Sequence, residues 1–157
     1  MQISIRNWEI SDLLTIQKAW LDFCRTAARP DMRLKPDSEA AMRKWLLLRF
    51  REPASLGFIA EKEGSRAGFL IGRVDRWESI PPIIEPRQLG VIDAVYVAEE
   101  FRRLSVGTRL VDRALEVMRE RGATTVETIH DASSSASFAL WGRAGFAPLM
   151  VHSCRML

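Results

Sequence analysis

Residues 89–122, LGVIDAVYVAEEFRRLSVGTRLVDRALEVMRERG, contain the clearest succession of elements in the chain. Residues 89–97 are apolar enough to predict a central strand. From Val106 onward apolar residues recur every three or four positions, which predicts an amphipathic helix that ends at Gly122. The first N–H groups of such a helix are unpaired, and its dipole adds partial positive charge. The turn between strand and helix is therefore typical of phosphate binding.

Arg102 and Arg103 add positive charge at the mouth of this turn, and Gly107 lets a ligand approach the main chain closely. Spacing alone nevertheless favours an ordinary strand–turn–helix with surface arginines. The choice between a phosphate-binding turn and an ordinary connection therefore depends on other parts of the sequence.

The rest of the chain predicts a mixed α/β sheet with helices on both faces. Apolar alternation at Ile3 and Ile5 indicates a first strand, and Gly64-Ser65 separates the two strands of a hairpin. The predicted elements are a first strand, helices over 11–27 and 37–53, strands over 57–63, 66–75 and 89–97, a helix over 106–122, a strand over 124–130, a helix over 134–144 and a last strand over 148–157.

Composition limits the function classes. The 157 residues are 47% apolar, which suits a single domain over 1–157 with one sizeable core. The sequence contains no apolar run long enough to span a membrane and begins without a secretory pattern. Its net charge of +3 comes from scattered basic residues, which argues against nucleic-acid binding. The two cysteines form no CxxC pair and no metal cluster, so we expect a reducing, cytoplasmic compartment and no metal.

The segment from Val95 to Phe146, with the order of elements over nearly the whole chain, resembles the GNAT superfamily of acyl-CoA-dependent N-acetyltransferases. The pyrophosphate loop of that family reads Arg/Gln-x-x-Gly-x-Gly/Ala, and residues 102–107 (RRLSVG) fill it here, with Ser105 in place of the first glycine. The resemblance implies a mostly antiparallel sheet and a bound acetyl-CoA as co-substrate. The implied contacts to it are Arg102, Arg103, Ser105, Val106, Gly107 and Thr108, with main-chain groups near Val95 and Val97 at the thioester.

A second family motif, Asn-x-x-Ala-x-x-x-Tyr-x-x-x-Gly-Phe, maps onto residues 134–146. Ser134 takes the place of Asn, Ser137 that of Ala and Trp141 that of Tyr, and Gly145-Phe146 matches. The resemblance adds Ser134, Ser137 and Trp141 to the acetyl-CoA site. The tyrosine often protonates the leaving thiolate in the family, which an indole cannot do. A thiol of pKa about 8.5 can still leave as thiolate and take a proton from water.

The implied reaction is direct attack of a primary amine, on a small molecule or a peptide, on the acetyl thioester. A lysine-like amine must first lose a proton, at a cost of about 4.6 kcal/mol at pH 7. Asp93 is the best-placed carboxylate for this, and strand alternation puts it on the side of Val95 and Val97 unless a bulge intervenes. His130 is the second candidate base, with Asp131 as its orienter. A strand-end histidine bonded to backbone or water is the commoner alternative.

We expect the acceptor pocket to include the loop between the first two helices and the proline-rich loop 77–88. Arginines at 25, 29, 33 and 87 favour an acceptor with a carboxylate or phosphate. The short C-terminus predicts an open sheet edge, which a homodimer would cover through the last strand or through Trp77 and Ile83-Ile84. The alternative function is a non-catalytic acyl-CoA-binding or protein-interaction module of the same fold. We expect no nucleic-acid partner and no membrane partner.

Overall fold

The computed structural model describes residues 2–27 and 32–155. These residues form five strands and four helices in the order β-α-α-β-β-β-α-β-α, and two short 3-10 turns lie at Ile10–Asp12 and Glu99–Phe101. The strands are β1 (Ile3–Asn7), β2 (Ser55–Lys62), β3 (Ser65–Trp77), β4 (Arg87–Val97) and β5 (Thr125–Thr128); the helices are α1 (Leu13–Ala27), α2 (Ser38–Arg51), α3 (Val106–Glu120) and α4 (Ser135–Arg143).

The five strands form one sheet in the order β1-β2-β3-β4-β5. The first four are antiparallel neighbours, and β5 runs parallel to β4 because α3 crosses over between them. Glu63 and Gly64, with φ of 52° and 79°, form the two-residue turn between β2 and β3. The prediction of a mixed, mostly antiparallel sheet between two layers of helices is confirmed.

Each face of the sheet has its own apolar core. On one face α3 buries Val106, Leu110, Ala114 and Met118, which recur at helical spacing, and Trp141 of α4 joins them. On the other face α1 and α2 pack against β2, β3 and β4. We call these two sides the α3 face and the α1/α2 face. In the part of the chain that the structure describes, no helix has the length and apolar character to cross a membrane.

The predicted last strand is wrong for the residues that the structure describes, because 147–155 contain no strand. Met156 and Leu157, its predicted end, lie outside the described residues. Leu149, Met150 and Val151 form an unbroken apolar run, whereas a strand on a half-exposed edge needs alternation. The side chains of these three residues are 72%, 83% and 89% exposed. In the described sheet, β5 therefore has β4 as its only neighbouring strand.

Candidate active site

The site begins where the pairing between β4 and β5 ends. Their parallel pairing runs from Leu89–Thr125 to Ile92–Thr128. The Thr128 hydroxyl donates to the Ile92 carbonyl over 3.2 Å at the end of this ladder. β4 continues to Val97 without β5, so its main-chain groups on that side face a gap in the sheet.

Asp93 is the extra residue of a β-bulge at this point. Ile71 of β3 lies opposite Ala94, while the next residue, Gly72, lies opposite Ile92, so Asp93 has no counterpart on β3. One extra residue shifts the alternation of side chains by one position. Ile92 accordingly packs on the α3 face, and Ala94 packs on the α1/α2 face.

The bulge places the Asp93 side chain on the α1/α2 face. Arg73 follows Ile71 by two positions in β3, and Ile71 belongs to the core of that face. Nη1 of Arg73 donates to Oδ1 of Asp93. Val95 and Val97 pack instead on the α3 face. The prediction that Asp93 shares their side is therefore wrong, and the bulge is the reason.

One carboxylate oxygen of Asp93 remains without a bond. Oδ2 is buried and accepts no hydrogen bond from any residue that the structure describes. Arg73 also donates from Nε to Oδ2 of Asp75 over 2.6 Å. Burial disfavours the charged guanidinium, but the hydrogen bonds and negative charges of Asp93 and Asp75 together outweigh this and raise the pKa of Arg73. Arg73 therefore stays charged, and it orients Asp93 through Oδ1 alone.

Sequence reasoning missed Arg73 as part of this site. The partnership depends on the β3–β4 register and on the bulge, neither of which side-chain periodicity reveals. The only available signal was that residue 73 lies in the strand that precedes the central one, with Asp75 two positions on.

The loop before α3 presents unpaired main-chain donors. Among the described residues no acceptor meets the N–H groups of Val106, Gly107 and Thr108, and the helix ladder starts with Arg109 donating to the Ser105 carbonyl over 3.1 Å. The Ser105 hydroxyl does not cap the helix. This end of α3 therefore offers three donors and the positive end of a helix dipole to an anion.

The arginines of this loop differ in what they touch. Arg102 donates from Nε to the Val97 carbonyl over 3.2 Å, which ties the loop to the end of β4. Arg103 is exposed, and it has a left-handed φ of 62°. Ser105 has a left-handed φ of 61° as well, a conformation that favours glycine. This left-handed backbone conformation explains why the family pattern has glycine at the position of Ser105.

Gly107 allows α3 to approach its neighbours. A Cβ at this position would lie 3.3 Å from Cδ1 of Leu140 in α4 and 3.6 Å from Cγ2 of Val97. The missing side chain thus faces protein atoms, a packing role in addition to the ligand approach that the sequence predicts. A large substitution at Gly107 would move Leu140 before it met a ligand.

The residues of the second motif shape α4. The Ser134 hydroxyl accepts from the Ser137 N–H over 3.2 Å and caps the helix. Gly145, with φ of 83°, ends it, and the Phe146 N–H donates to the Trp141 carbonyl over 2.9 Å. Trp141 is only 6% exposed and packs against Phe146. Capping and core packing therefore account for the Ser134, Trp141, Gly145 and Phe146 positions.

His130 lies two residues beyond the end of β5 rather than at it. Its ring centroid is 4.8 Å from that of Phe138 and 6.2 Å from that of Trp141, which places it beside α4 on the α3 face. Nδ1 is buried, and no residue within 2–27 or 32–155 bonds it. The two candidate catalytic side chains are thus on opposite faces of the sheet, Asp93 in β4 and His130 just beyond β5.

The arginines predicted for the acceptor pocket are not gathered in one place. Arg25 pairs with Asp22 over 2.8 Å and with Glu39 over 3.2 Å, and Arg33 is exposed. The guanidinium of Arg87 lies 4.7 Å above the Trp77 ring, and its Nη2 is 3.4 Å from Glu127. Arg29 lies outside the described residues.

Comparison with known sequences and structures agrees with this arrangement. A family profile described as the acetyltransferase (GNAT) family matches residues 16–146. The chain belongs to that family. An uncharacterised N-acetyltransferase of Methanocaldococcus jannaschii is 29% identical over 103 residues, which are 66% of this chain and 42% of that protein. The chain spans about half the length of the curated relatives it matches.

Solved structures of GNAT proteins share the fold. A GCN5-related N-acetyltransferase from Ralstonia eutropha superimposes with a TM-score of 0.75 at 25% identity, over 99% of both chains. A predicted acetyltransferase from Clostridium acetobutylicum, solved with acetyl-CoA, superimposes with a TM-score of 0.74 at 13% identity, over 94% of this chain and 92% of that one. The second likeness concerns the fold alone.

Proposed function

We propose that this chain, as one GNAT domain, transfers the acetyl group of acetyl-CoA to a primary amine of a small molecule or peptide. One observation carries the proposal: β4 and β5 part at a bulge whose carboxylate keeps a buried, unbonded oxygen, close in sequence to a helix start with unpaired N–H groups. Membership of the GNAT family supports the same reaction.

Acetyl-CoA fits the residues present. Its pyrophosphate needs hydrogen-bond donors and positive charge, which the N–H groups of Val106, Gly107 and Thr108 supply with Arg102 and Arg103 nearby. The hydroxyl of Ser105, which makes no capping bond, is a further donor. Its pantetheine arm carries amides, and the part of β4 beyond Ile92, near Val95 and Val97, has no described strand beside it on the β5 side. Ser134 caps α4, and Ser137 and Trp141 lie on it; α4 approaches the start of α3 where Leu140 faces Gly107.

Asp93 suits the acceptor side of the reaction. A primary ammonium that approaches from the α1/α2 face meets Oδ2 of Asp93, while Arg73 holds Oδ1. Loss of a proton to this carboxylate or to water beside it leaves a neutral amine. The nitrogen then attacks the carbonyl carbon of the thioester, the C–S bond breaks, and CoA leaves as thiolate.

Release of free CoA thiol tests the proposal. A panel of amines, comprising a polyamine, an aminoglycoside, a peptide with a free α-amine and a lysine peptide, is incubated with acetyl-CoA, and thiol is followed with a chromogenic reagent. Asp93→Asn should lower kcat at least about 100-fold with the KM for acetyl-CoA unchanged, since general-base catalysis contributes about 10²- to 10⁴-fold.

Asp75→Asn is the matched control for this variant. It removes the other carboxylate that bonds Arg73 but leaves Asp93 in place, so it should retain activity. Equal rates for Asp93→Asn and wild type between about pH 6 and 9 would remove Asp93 from the mechanism.

A second candidate is a non-catalytic acyl-CoA-binding module. The buried indole of Trp141 at the place of the family tyrosine favours it, because an indole cannot protonate a thiolate. This function predicts that CoA binds in calorimetric titration while no amine of the panel releases thiol.

We also propose a homodimer that covers the open edge of the sheet. β5 forms that edge, and the apolar side chains of Ile129, Leu149, Met150 and Val151 are each at least 72% exposed next to it in sequence or along the C-terminal segment. Ile83 and Ile84 of the proline-rich loop add exposed apolar surface. A second copy of the chain, with the same apolar residues, is the simplest partner for such a surface.

A further inference from the structure

His130 is placed where the family pattern has its proton donor. Trp141 stands at the position of the family tyrosine, and the imidazole of His130 packs beside that indole, with ring centroids 6.2 Å apart. Both lie on the α3 face, on the side of the gap that α4 borders. The sequence alone does not bring the two together, because eleven positions separate them.

The environment of the imidazole is that of a group built for a ligand. Phe138 meets the ring edge-on and the Trp141 ring is tilted by 32° to it, so both aromatic contacts of the imidazole come from one turn of α4. Nδ1 is buried, yet nothing in the described part of the chain bonds it. A buried polar atom without a partner destabilises a fold, so Nδ1 is open to a bond that the described residues do not supply.

The opposite placement of Asp93 separates two proton transfers. Asp93 lies on the α1/α2 face, where an amine must lose a proton, and His130 lies on the α3 face across the gap. In the arrangement proposed below, a thioester in the gap would turn its carbonyl carbon to the first face and its sulfur to the second. His130 therefore suits the leaving group better than the role of second base that the sequence predicts.

We propose that His130, as imidazolium, donates its proton to the sulfur of CoA as the thiolate leaves, and so replaces the missing tyrosine. This role rests on the proposed acetyl transfer. The N–C bond forms from the amine lone pair, and the C–S bond breaks with its electron pair on sulfur. The proton on His130 moves to that sulfur to give the thiol. The amine gives its own proton to Asp93 or water, and solvent returns a proton to the imidazole.

Rescue by tyrosine is the experiment that distinguishes this role from packing. The panel amine with the highest wild-type rate is used with acetyl-CoA, and four proteins are compared: wild type, His130→Gln, Trp141→Tyr and the double variant. We expect His130→Gln to lose about 100-fold in kcat with the KM for acetyl-CoA unchanged. Trp141→Tyr in that background should restore at least a tenth of the wild-type kcat, because a phenol next to position 130 supplies the proton.

Two controls keep the test independent of folding. Thermal unfolding of each variant verifies that it folds, and His130→Asn serves as a second substitution should His130→Gln fail to fold.

Two results would refute the role of His130 while leaving the proposed acetyl transfer intact. One is a His130→Gln or His130→Asn enzyme within about threefold of the wild-type kcat. The other is a loss that tyrosine at 141 does not repair although Trp141→Tyr alone is active. A different result, a wild-type protein that binds CoA but releases no thiol with any amine, would refute the proposed acetyl transfer itself. The role of His130 would then be refuted as well, because it depends on that reaction.

Discussion

Ser105→Gly should stabilise the protein, because Ser105 holds a backbone conformation that costs a residue with a side chain. Its φ is 61°, and its hydroxyl makes no capping bond that the substitution would remove. The left-handed conformation destabilises a non-glycine residue by about 1–2 kcal/mol, and Ser105→Gly would remove this strain. Glycine also has more freedom in the unfolded chain, which offsets about 0.5–1 kcal/mol of the gain. The expected gain in the free energy of unfolding is therefore about 0.5–1 kcal/mol.

Thermal unfolding followed by circular dichroism measures this gain. For a chain of this size 1 kcal/mol corresponds to about 2–4 °C in Tm, so the midpoint should rise by about 1–4 °C. Calorimetric titration with CoA should show equal or tighter binding in the variant, since the N–H groups of Val106, Gly107 and Thr108 are untouched.

Ser135→Gly is the matched control. Ser135 is the first residue of α4, an exposed serine in a regular helix, where glycine only adds freedom to the unfolded chain. It should lower the stability by up to about 1 kcal/mol. A Ser105→Gly protein that is destabilised as much as Ser135→Gly would refute the reasoning from the left-handed conformation.

Two further predictions concern acid stability and assembly. Burial of Asp12 raises the pKa of its carboxyl, but the hydrogen bonds from Arg6, the Glu9 N–H and Arg66 outweigh this and lower it to about 2. Because that pKa is below the unfolded value, the Asp12 carboxylate stabilises the fold near neutral pH, and this stabilisation is lost as the pH falls from about 4 to 2. Urea unfolding at several pH values should find this loss of unfolding free energy in wild type and not in Asp12→Asn. Light scattering should give a dimer for wild type and a monomer for a Met150→Asp/Val151→Asp protein that still folds; a wild-type monomer at every micromolar concentration would contradict the dimer.

Local sequence patterns predicted most of the fold. The apolar positions of α3 recur at helical spacing from Val106 to Met118, and that spacing is set within one segment. The β2–β3 hairpin also follows from residues close in sequence, although its turn is Glu63-Gly64 rather than Gly64-Ser65. Both features depend on short-range chemistry, which a single sequence contains.

The parts that failed depend on pairing between distant segments. Asp93 lies on the face opposite to the one that alternation predicts, because a bulge is visible only in the register with β3. The last strand failed because residues 147–155 do not pair with the open edge at β5 and leave Leu149, Met150 and Val151 exposed, and pairing of that kind is not visible in the residues themselves. The residue types at the site were recognisable, while the partnership of Asp93 with Arg73 was not.

The shortness of β5 also determines where the molecule opens. Only four residue pairs join β5 to β4, whereas eight or more join β2 to β3 and β3 to β4. Regions with few buried hydrogen bonds unfold locally at a lower free energy than the rest of a domain. The four-residue β5 is such a region beside the longer antiparallel strands. A ligand that enters the gap therefore meets one fixed wall and one that can move, and admission of a bulky thioester requires no global unfolding.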